Sequence, residues 1–476
     1  MTNAPLSLLV LVASLACCGA VAADEFTVQT DDGEAVKFVG SVYADVPGLS
    51  LLQRPNGMIE MVPDGRLVDR TPGDDPPPIE ADGMIELLKE RFAGPQGDLL
   101  LTSRHDPYVV ALVLQAPLDR GGRARGLGLL RKAGTFLLDL ERSFTRFATR
   151  MDLPKEEPAY PLVMIIFETD AQFEDYAVAA TGGRGLSAER INGFYSSKTN
   201  WLAVRLDECD DFQLPLHEGI HQQVYNRGWF RRFADIPVWF DEGIATGFEA
   251  DGGDVDTDPR QLNGRNAVRA LESKQVSFAK IIEDDSPFRG DVLAGEAYMQ
   301  AWALHWLLVG SRPEEYTAYV TKLGQRQPLE RVDDDGRKPR FEEAFNVTVA
   351  DLEAEFRPTL EREARLQRVR PPSGPKPGEV FRQDQMGQVA LKVVGDGSGR
   401  VRAAGSIKNV SPLRALQYRV RLEPPTGESI EWVTPPVSPR RTFSLPLKQM
   451  ITNDPSFRTT IESSIPGSRD AAGWSR

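Results

Sequence analysis

Two proline-rich stretches decide how this 476-residue chain can be divided before any element is assigned. One covers residues 71–83 and contains Pro76-Pro77-Pro78; the other covers 367–384 and contains Pro371, Pro372, Pro375 and Pro377. Proline fixes φ and has no N–H to donate, so neither stretch suits a helix interior or a central strand, and both read as linkers. They leave three pieces able to fold, 24–70, 84–366 and 385–452, and a tail, 453–476, with little periodicity.

The outer pieces are β-rich. In residues 24–70 short apolar runs alternate with turn signals such as Asp31-Asp32-Gly33 and Asn56-Gly57. That pattern resembles an SH3-like β-barrel, and no function attaches to it. In 385–452, Val389, Leu391 and Val393 alternate, as do Leu416, Tyr418, Val420 and Leu422, which suits a small β-sandwich. The middle piece mixes both periods. Residues 108–114, 162–167 and 201–206 read as strands, with 162–167 continuous enough to be central. Leu129, Leu130, Phe136, Leu137, Leu140, Phe144 and Phe147 recur at helical spacing, and helices dominate after residue 206. The expected class is therefore α+β, flanked by small all-β domains.

The start of the chain reads as an export signal. An apolar run over 6–16 precedes Ala20-Val21-Ala22, a small-x-small cleavage pattern that makes residues 1–23 a signal peptide, although Met1 to Pro5 holds no Lys or Arg. The run is far shorter than the roughly 20 residues that span a bilayer. Cys17 and Cys18 approximate a lipoprotein box only loosely, so a lipid anchor is the lesser reading. Cleavage leaves Cys209 as a lone thiol, unable to form an internal disulfide. The expected location is periplasmic, cell-surface or extracellular. Lys and Arg total 56 against 69 for Asp and Glu, a net charge of -13 without a basic block, which argues against nucleic acid as a partner.

Chemistry concentrates in one motif. Of four histidines, two fall in His217-Glu218-Gly219-Ile220-His221. A spacing of four puts both imidazoles on one face of a helix, where two nitrogens can bind one Zn²⁺, and Glu218 can take a proton from water beside it. Chance would produce this arrangement roughly two times in a thousand for four histidines. Asp211 is the expected cap of this helix, Pro215 is tolerable in its first turn, and Gly228 is a stop. A catalytic zinc needs a third protein ligand. A second helix, expected to be capped by Asp235, offers adjacent candidates, Asp241 and Glu242, which point about 100° apart and cannot both face one ion.

The pair of motifs, H-E-x-x-H and then Trp239-Phe240-Asp241-Glu242-Gly243-Ile244-Ala245, with 20 residues between His221 and Glu242, resembles the gluzincin peptidases of the peptidase-MA-like superfamily. More loosely, Gly193-Phe194-Tyr195 and the run from Tyr298 to Leu304 resemble an uncharacterised exported bacterial branch of it. The resemblance covers a little over half the chain and neither β-rich end. It implies a zincin-like fold, zinc held by His217, His221 and Glu242, Glu218 as general base, and an oxyanion donor on a later helix. Tyr298 is the expected donor and His305, on nearly the same face, is the rival. It also implies an edge strand near residues 196–200 able to pair with an extended substrate. Asp241 would then be solvated or a partner of an imidazole.

The expectation is an exported zinc metallopeptidase acting on a peptide or protein substrate, with its β domains seating it on a partner or surface. Two alternatives stay open: a catalytically inactive zincin-like binding protein, and a scaffold whose β domains carry the function. His105 is expected in a loop before a strand, and Cys209, beside Asp210 and Asp211, as a structural thiol.

Overall fold

The computed structural model describes residues 23–30, 33–181, 191–249, 255, 257–273, 275–289, 294–330, 332, 336–369, 379–384, 386–397, 399–452 and 456–468. The expected signal peptide up to residue 22, residues 370–378 of the second linker and the end of the tail lie outside them.

The first of two compact units comprises residues up to Pro55 together with Ile59–Pro77. It holds two three-stranded antiparallel sheets. Glu25–Gln29 lies between Ala35–Val39 and Leu67–Thr71, and Leu49–Gln53 lies between Ser41–Val46 and Ile59–Pro63. Phe26, Leu52 and Val62 pack together as a buried cluster within it. The buried Asp24 carboxylate is held by Arg70 at 2.8 Å.

The second unit is built on a five-stranded mixed sheet. Its order is Gly193–Ser196, Trp201–Arg205, Leu162–Phe167, Tyr108–Val113, Leu100–His105. The three inner strands are mutually parallel and each edge strand pairs antiparallel. Leu162–Phe167 is central and buried at every position, because helices cover both faces and no polar alternation is needed. Val163, Ile165 and Phe167 face one apolar cluster, completed by the helices Ala81–Phe92 and Asp170–Thr181. Met164 and Ile166 face the other, under the 31-residue helix Arg120–Arg150. That helix buries all seven of the apolar residues whose spacing marked it.

After the sheet come the histidine helix Gln213–Asn226, the glutamate helix Val238–Gly247, the helices Gly264–Glu272 and Phe278–Glu283, the tyrosine helix Ala294–Ser311, and then Pro313–Gly324, Arg337–Phe345 and Val349–Leu366. The C-terminal β piece has a four-stranded sheet, ordered Glu379–Asp384, Gly387–Gly395, Arg400–Asn409, Thr442–Ile451. Beside it is a three-stranded sheet, ordered Ile430–Val433, Gln417–Glu423, Arg458–Ser464. The protein is thus mixed α+β. Two boundaries need correction. Glu379–Asp384, expected as linker, pairs with Gly387–Lys392, and Arg458–Ser464, expected as loose tail, pairs with Gln417–Glu423. Backbone pairing brings in strands whose own side chains carry little apolar pattern.

The C-terminal sheets share one continuous apolar core with the helices, through Leu391, Tyr418 and Val420. Arg414 clasps Glu168 at 2.6 Å and Arg125 donates to the Leu413 carbonyl at 2.7 Å. His105 precedes the strand Tyr108–Val113 as expected, but it is the last residue of the strand Leu100–His105 and not a loop residue, with Ser103 Oγ 2.9 Å from its Nε2.

Candidate metal centre

The histidine helix is seated by its apolar stripe, Leu216, Ile220 and Val224, spaced by four and buried. Gln222, fully buried, ties it to the sheet by donating to the carbonyls of Val163 at 3.2 Å and Asn200 at 3.0 Å. Its start differs from expectation. The N-cap is Phe212 in the left-handed region, φ 57°, while Asp211 accepts from the Gln213 N–H at 3.1 Å without capping the helix. The helix stops at Arg227, and Gly228, φ +85°, supplies the left-handed turn that follows.

The glutamate helix begins at Val238 after Pro237, and Asp235 does not cap it. Asp235 accepts from Val332 N–H, and the free Val238 N–H is met by Asp285, 47 residues downstream, at 3.3 Å. Gly243 follows Glu242 where the tyrosine helix crosses. A Cβ there would lie 2.3 Å from the His305 ring and 2.8 Å from the Ala301 carbonyl, so only glycine permits this approach.

These helices bring His217, His221 and Glu242 together. His217 Nε2 lies 3.1 Å from Glu242 Oε2 and 3.3 Å from His221 Nε2, and His221 Nε2 lies 3.6 Å from the same carboxylate oxygen. A tetrahedral ion with bonds of about 2.0 to 2.1 Å separates its ligand atoms by about 3.3 to 3.4 Å. The triangle has that size, and it is the group able to hold a metal ion among the described residues.

The outward nitrogens fix the tautomers. His217 Nδ1 donates to Glu249 Oε1 at 3.0 Å and His221 Nδ1 to Asp241 Oδ1 at 3.2 Å. With Nδ1 so used, both Nε2 atoms face inward toward Glu242 Oε2, where a cation could take the place of their protons. Asp241 takes the imidazole-partner role weighed for it, and Tyr225 steadies it with a hydroxyl donated to Oδ2 at 3.1 Å. Glu249 was missed by sequence reasoning; it lies past the end of its helix, 32 residues from His217, and no spacing rule marks it. Arg265 holds it at 3.1 Å.

The field of the cluster favours positive charge. Burial alone would lower the His217 pKa, but hydrogen bonds to Glu242 and Glu249 outweigh it and push the value up to about 10. His221 is likewise raised, by Asp241 and Glu242 against burial. Burial would raise the Glu242 carboxyl, yet the two imidazoles hold it well below the usual carboxylate range. Two imidazoles among Glu218, Asp241, Glu242 and Glu249 suit a divalent cation, and the donor set of two nitrogens and one oxygen fits zinc.

Glu218 points to the cleft beside this cluster. Its Oε2 accepts from the backbone N–H of Tyr195, in the edge strand Gly193–Ser196, at 2.9 Å. Burial raises its carboxyl, with nearby Glu242 adding to the rise. The polar residues after Ser196 form the hairpin turn into Trp201, and it is Gly193–Ser196 that makes the sheet edge. Tyr298 lies in the same cleft, its ring 6.2 Å from that of His217. Burial and the charges of Glu242 and Glu218 raise its pKa, so its hydroxyl stays protonated. His305 does not reach the cleft. It is fully buried against Trp239, Phe240 and Tyr316, with its pKa lowered to about 3 by burial. Cys209 is also buried, and burial, then Asp207 and Glu208, push its thiol up, as an inert structural thiol requires.

The cleft measures about 570 Å³. A separate cavity of about 290 Å³ opens at the start of the glutamate helix beside Pro237 and Trp239, and its lining has neither imidazole nor thiol.

Residues 215–330, about a quarter of the chain, match a family described as a protein of unknown function (DUF1570). The matched span contains all five residues of the candidate site. No curated protein matches the chain.

Proposed function

We propose that this protein is an exported, zinc-dependent metallopeptidase of the gluzincin type, with a zincin-like fold in its α/β part. The observation that carries this reading is the triangle of 3.1, 3.3 and 3.6 Å among His217 Nε2, His221 Nε2 and Glu242 Oε2, with Glu218 beside it in an open cleft. His217, His221 and Glu242 would hold Zn²⁺. When bound, the ion supplies Lewis acidity and a water whose pKa falls toward about 7.

The chain's own residues do the rest. The Tyr195 N–H orients Glu218 through one oxygen, leaving the other to accept a proton as the peptide carbonyl is attacked. The same carboxyl, raised by burial, returns that proton to the leaving amine. Tyr298 keeps its proton and donates to the oxyanion as charge develops there. Residues 1–23 support export, and the β-rich parts are available to seat the enzyme on a surface or protein partner.

The test compares wild type and Glu218→Gln on a peptide library, with zinc content measured on both. Wild type should hydrolyse peptides, and Glu218→Gln should keep its zinc and lose at least about hundredfold in kcat. Zinc-loaded wild type that hydrolyses nothing would favour an inactive binding protein, and protein without stoichiometric zinc would favour a scaffold.

A further inference from the structure

We propose that the cleft selects peptides carrying a carboxylate close to the bond presented to the metal cluster, and that Arg269 is the selecting residue; this rests on the peptidase reading of the same cleft. The cleft that contains His217, Glu218 and Tyr298 is also lined by Arg265 and Arg269. Both come from the helix Gly264–Glu272, where a spacing of four puts them on one face. That helix buries Asn266, Ala267 and Ala270 on its other side, so the arginines are held toward the cleft.

The two differ in what they already hold. Arg265 is committed, with one Nη on Glu249 at 3.1 Å and the other on Gln213 Oε1 at 3.0 Å. Arg269 is exposed and forms no ion pair among the described residues. A free guanidinium presents paired N–H donors that match a carboxylate, the strongest polar recognition such a wall can offer a peptide.

Acidic residues also line the cleft, each already accepting a hydrogen bond, Glu218 from Tyr195 N–H and Glu249 from Arg265 among them. Glu208 Oε1 accepts from Asn192 at 2.8 Å, and Asp211 from the Gln213 N–H at 3.1 Å. Burial, reinforced by Asp207, pushes Glu208 up to about 7, so at neutral pH it carries only part of its charge. Of the two arginines in the cleft, Arg269 is the one without an ion-pair partner among the described residues, and the complementary group on a peptide is an Asp or Glu side chain or a free chain end.

The experiment reads binding, independent of turnover. The full-length Glu218→Gln protein, loaded with zinc, is titrated by fluorescence anisotropy with a fluorescein-labelled peptide library. Each position is Glu or Gln in turn, and each peptide is made as the free acid and the amide. At one position Glu should bind about tenfold tighter than Gln; if the chain end is the ligand, amidation should weaken binding by the same factor. Adding Arg269→Gln should bring that ratio to about one with zinc content unchanged, and Arg269→Glu should shift preference to Lys at the same position. Equal binding of acid and neutral partners, or a preference that survives Arg269→Gln, overturns the proposal. Hydrolysis by the wild type without charge preference would remove this selectivity and leave the peptidase reading. A charge preference in binding with no hydrolysis would do the reverse.

Discussion

The histidine helix carries a buried polar cluster within its length and another at its end, and only the second gives each of its nitrogens an acceptor of its own. At the end, Arg227 is 3% exposed and every guanidinium nitrogen has an acceptor: Gln223 for Nε, the Glu156 carbonyl and Glu157 for Nη1, Glu141 for Nη2. Gln223 in turn donates to the Tyr108 hydroxyl at 2.8 Å. Earlier on the helix, His217 and His221 are also buried and held from outside, but their inner nitrogens lie 3.3 Å apart and share one carboxylate oxygen, Glu242 Oε2, at 3.1 and 3.6 Å. The Arg227 cluster locks the helix against the long helix and the sheet. In the histidine cluster the three inward atoms pair with one another at a spacing that a cation could take over. Buried charge on the same element is thus fully paired at one place and, at the other, shared in a geometry that would suit the proposed metal ion.

Removing Arg227 should break the first half of that contrast. Arg227→Ala strands Glu141 and Gln223 and should cost about 3 to 5 kcal/mol in denaturant unfolding, with or without zinc. A loss below about 1 kcal/mol would mean the two clusters do not differ as described. Asp241→Asn and Glu249→Gln sharpen the second half. Each releases one imidazole from its orienting carboxylate, so zinc affinity should fall about 10- to 100-fold in equilibrium dialysis while unfolding of the metal-free protein changes little. An unchanged affinity in both variants would remove the outer carboxylates from the site.

Acid separates the histidines themselves. His217, raised to about 10 above its ordinary 6.5, stabilises the metal-free fold below pH 6.5, and this contribution is lost as pH rises through 10. Zinc must displace that proton, so its affinity should climb with pH across this window by up to about tenfold per unit for each proton displaced, and zinc should leave on acidification. His305 has the opposite sign. Its value of about 3 lies below the ordinary 6.5, so stability present above pH 6.5 is lost as pH falls toward 3, by at most about 1.4 kcal/mol per unit. Unfolding midpoints of metal-free wild type and His305→Gln between pH 7 and pH 4 should diverge in slope; parallel curves would show that burial does not hold His305 neutral.

The parts of this molecule legible in the sequence are those with a local period. The strand Leu162–Phe167, the long helix and the spacing of His217 and His221 follow from runs a few residues long. The choice of Glu242 over Asp241 came from resemblance, and the fold explains it by giving Asp241 to the His221 Nδ1. Contacts made across distance were not legible. Asp285 serves the glutamate helix from 47 residues away, and Glu249 reaches His217 from beyond a helix end. Arg458–Ser464 buries a single large apolar residue, Ile461, and is a strand because Gln417–Glu423 offers it a pairing edge.

The most direct measurement is zinc content per chain after equilibrium dialysis, for wild type, His217→Ala and Glu242→Ala, with circular dichroism confirming that each is folded. One zinc per wild-type chain and a loss of most of it in both variants is the predicted result. Wild type without zinc, or variants that keep it in full, would contradict a metal centre built from His217, His221 and Glu242.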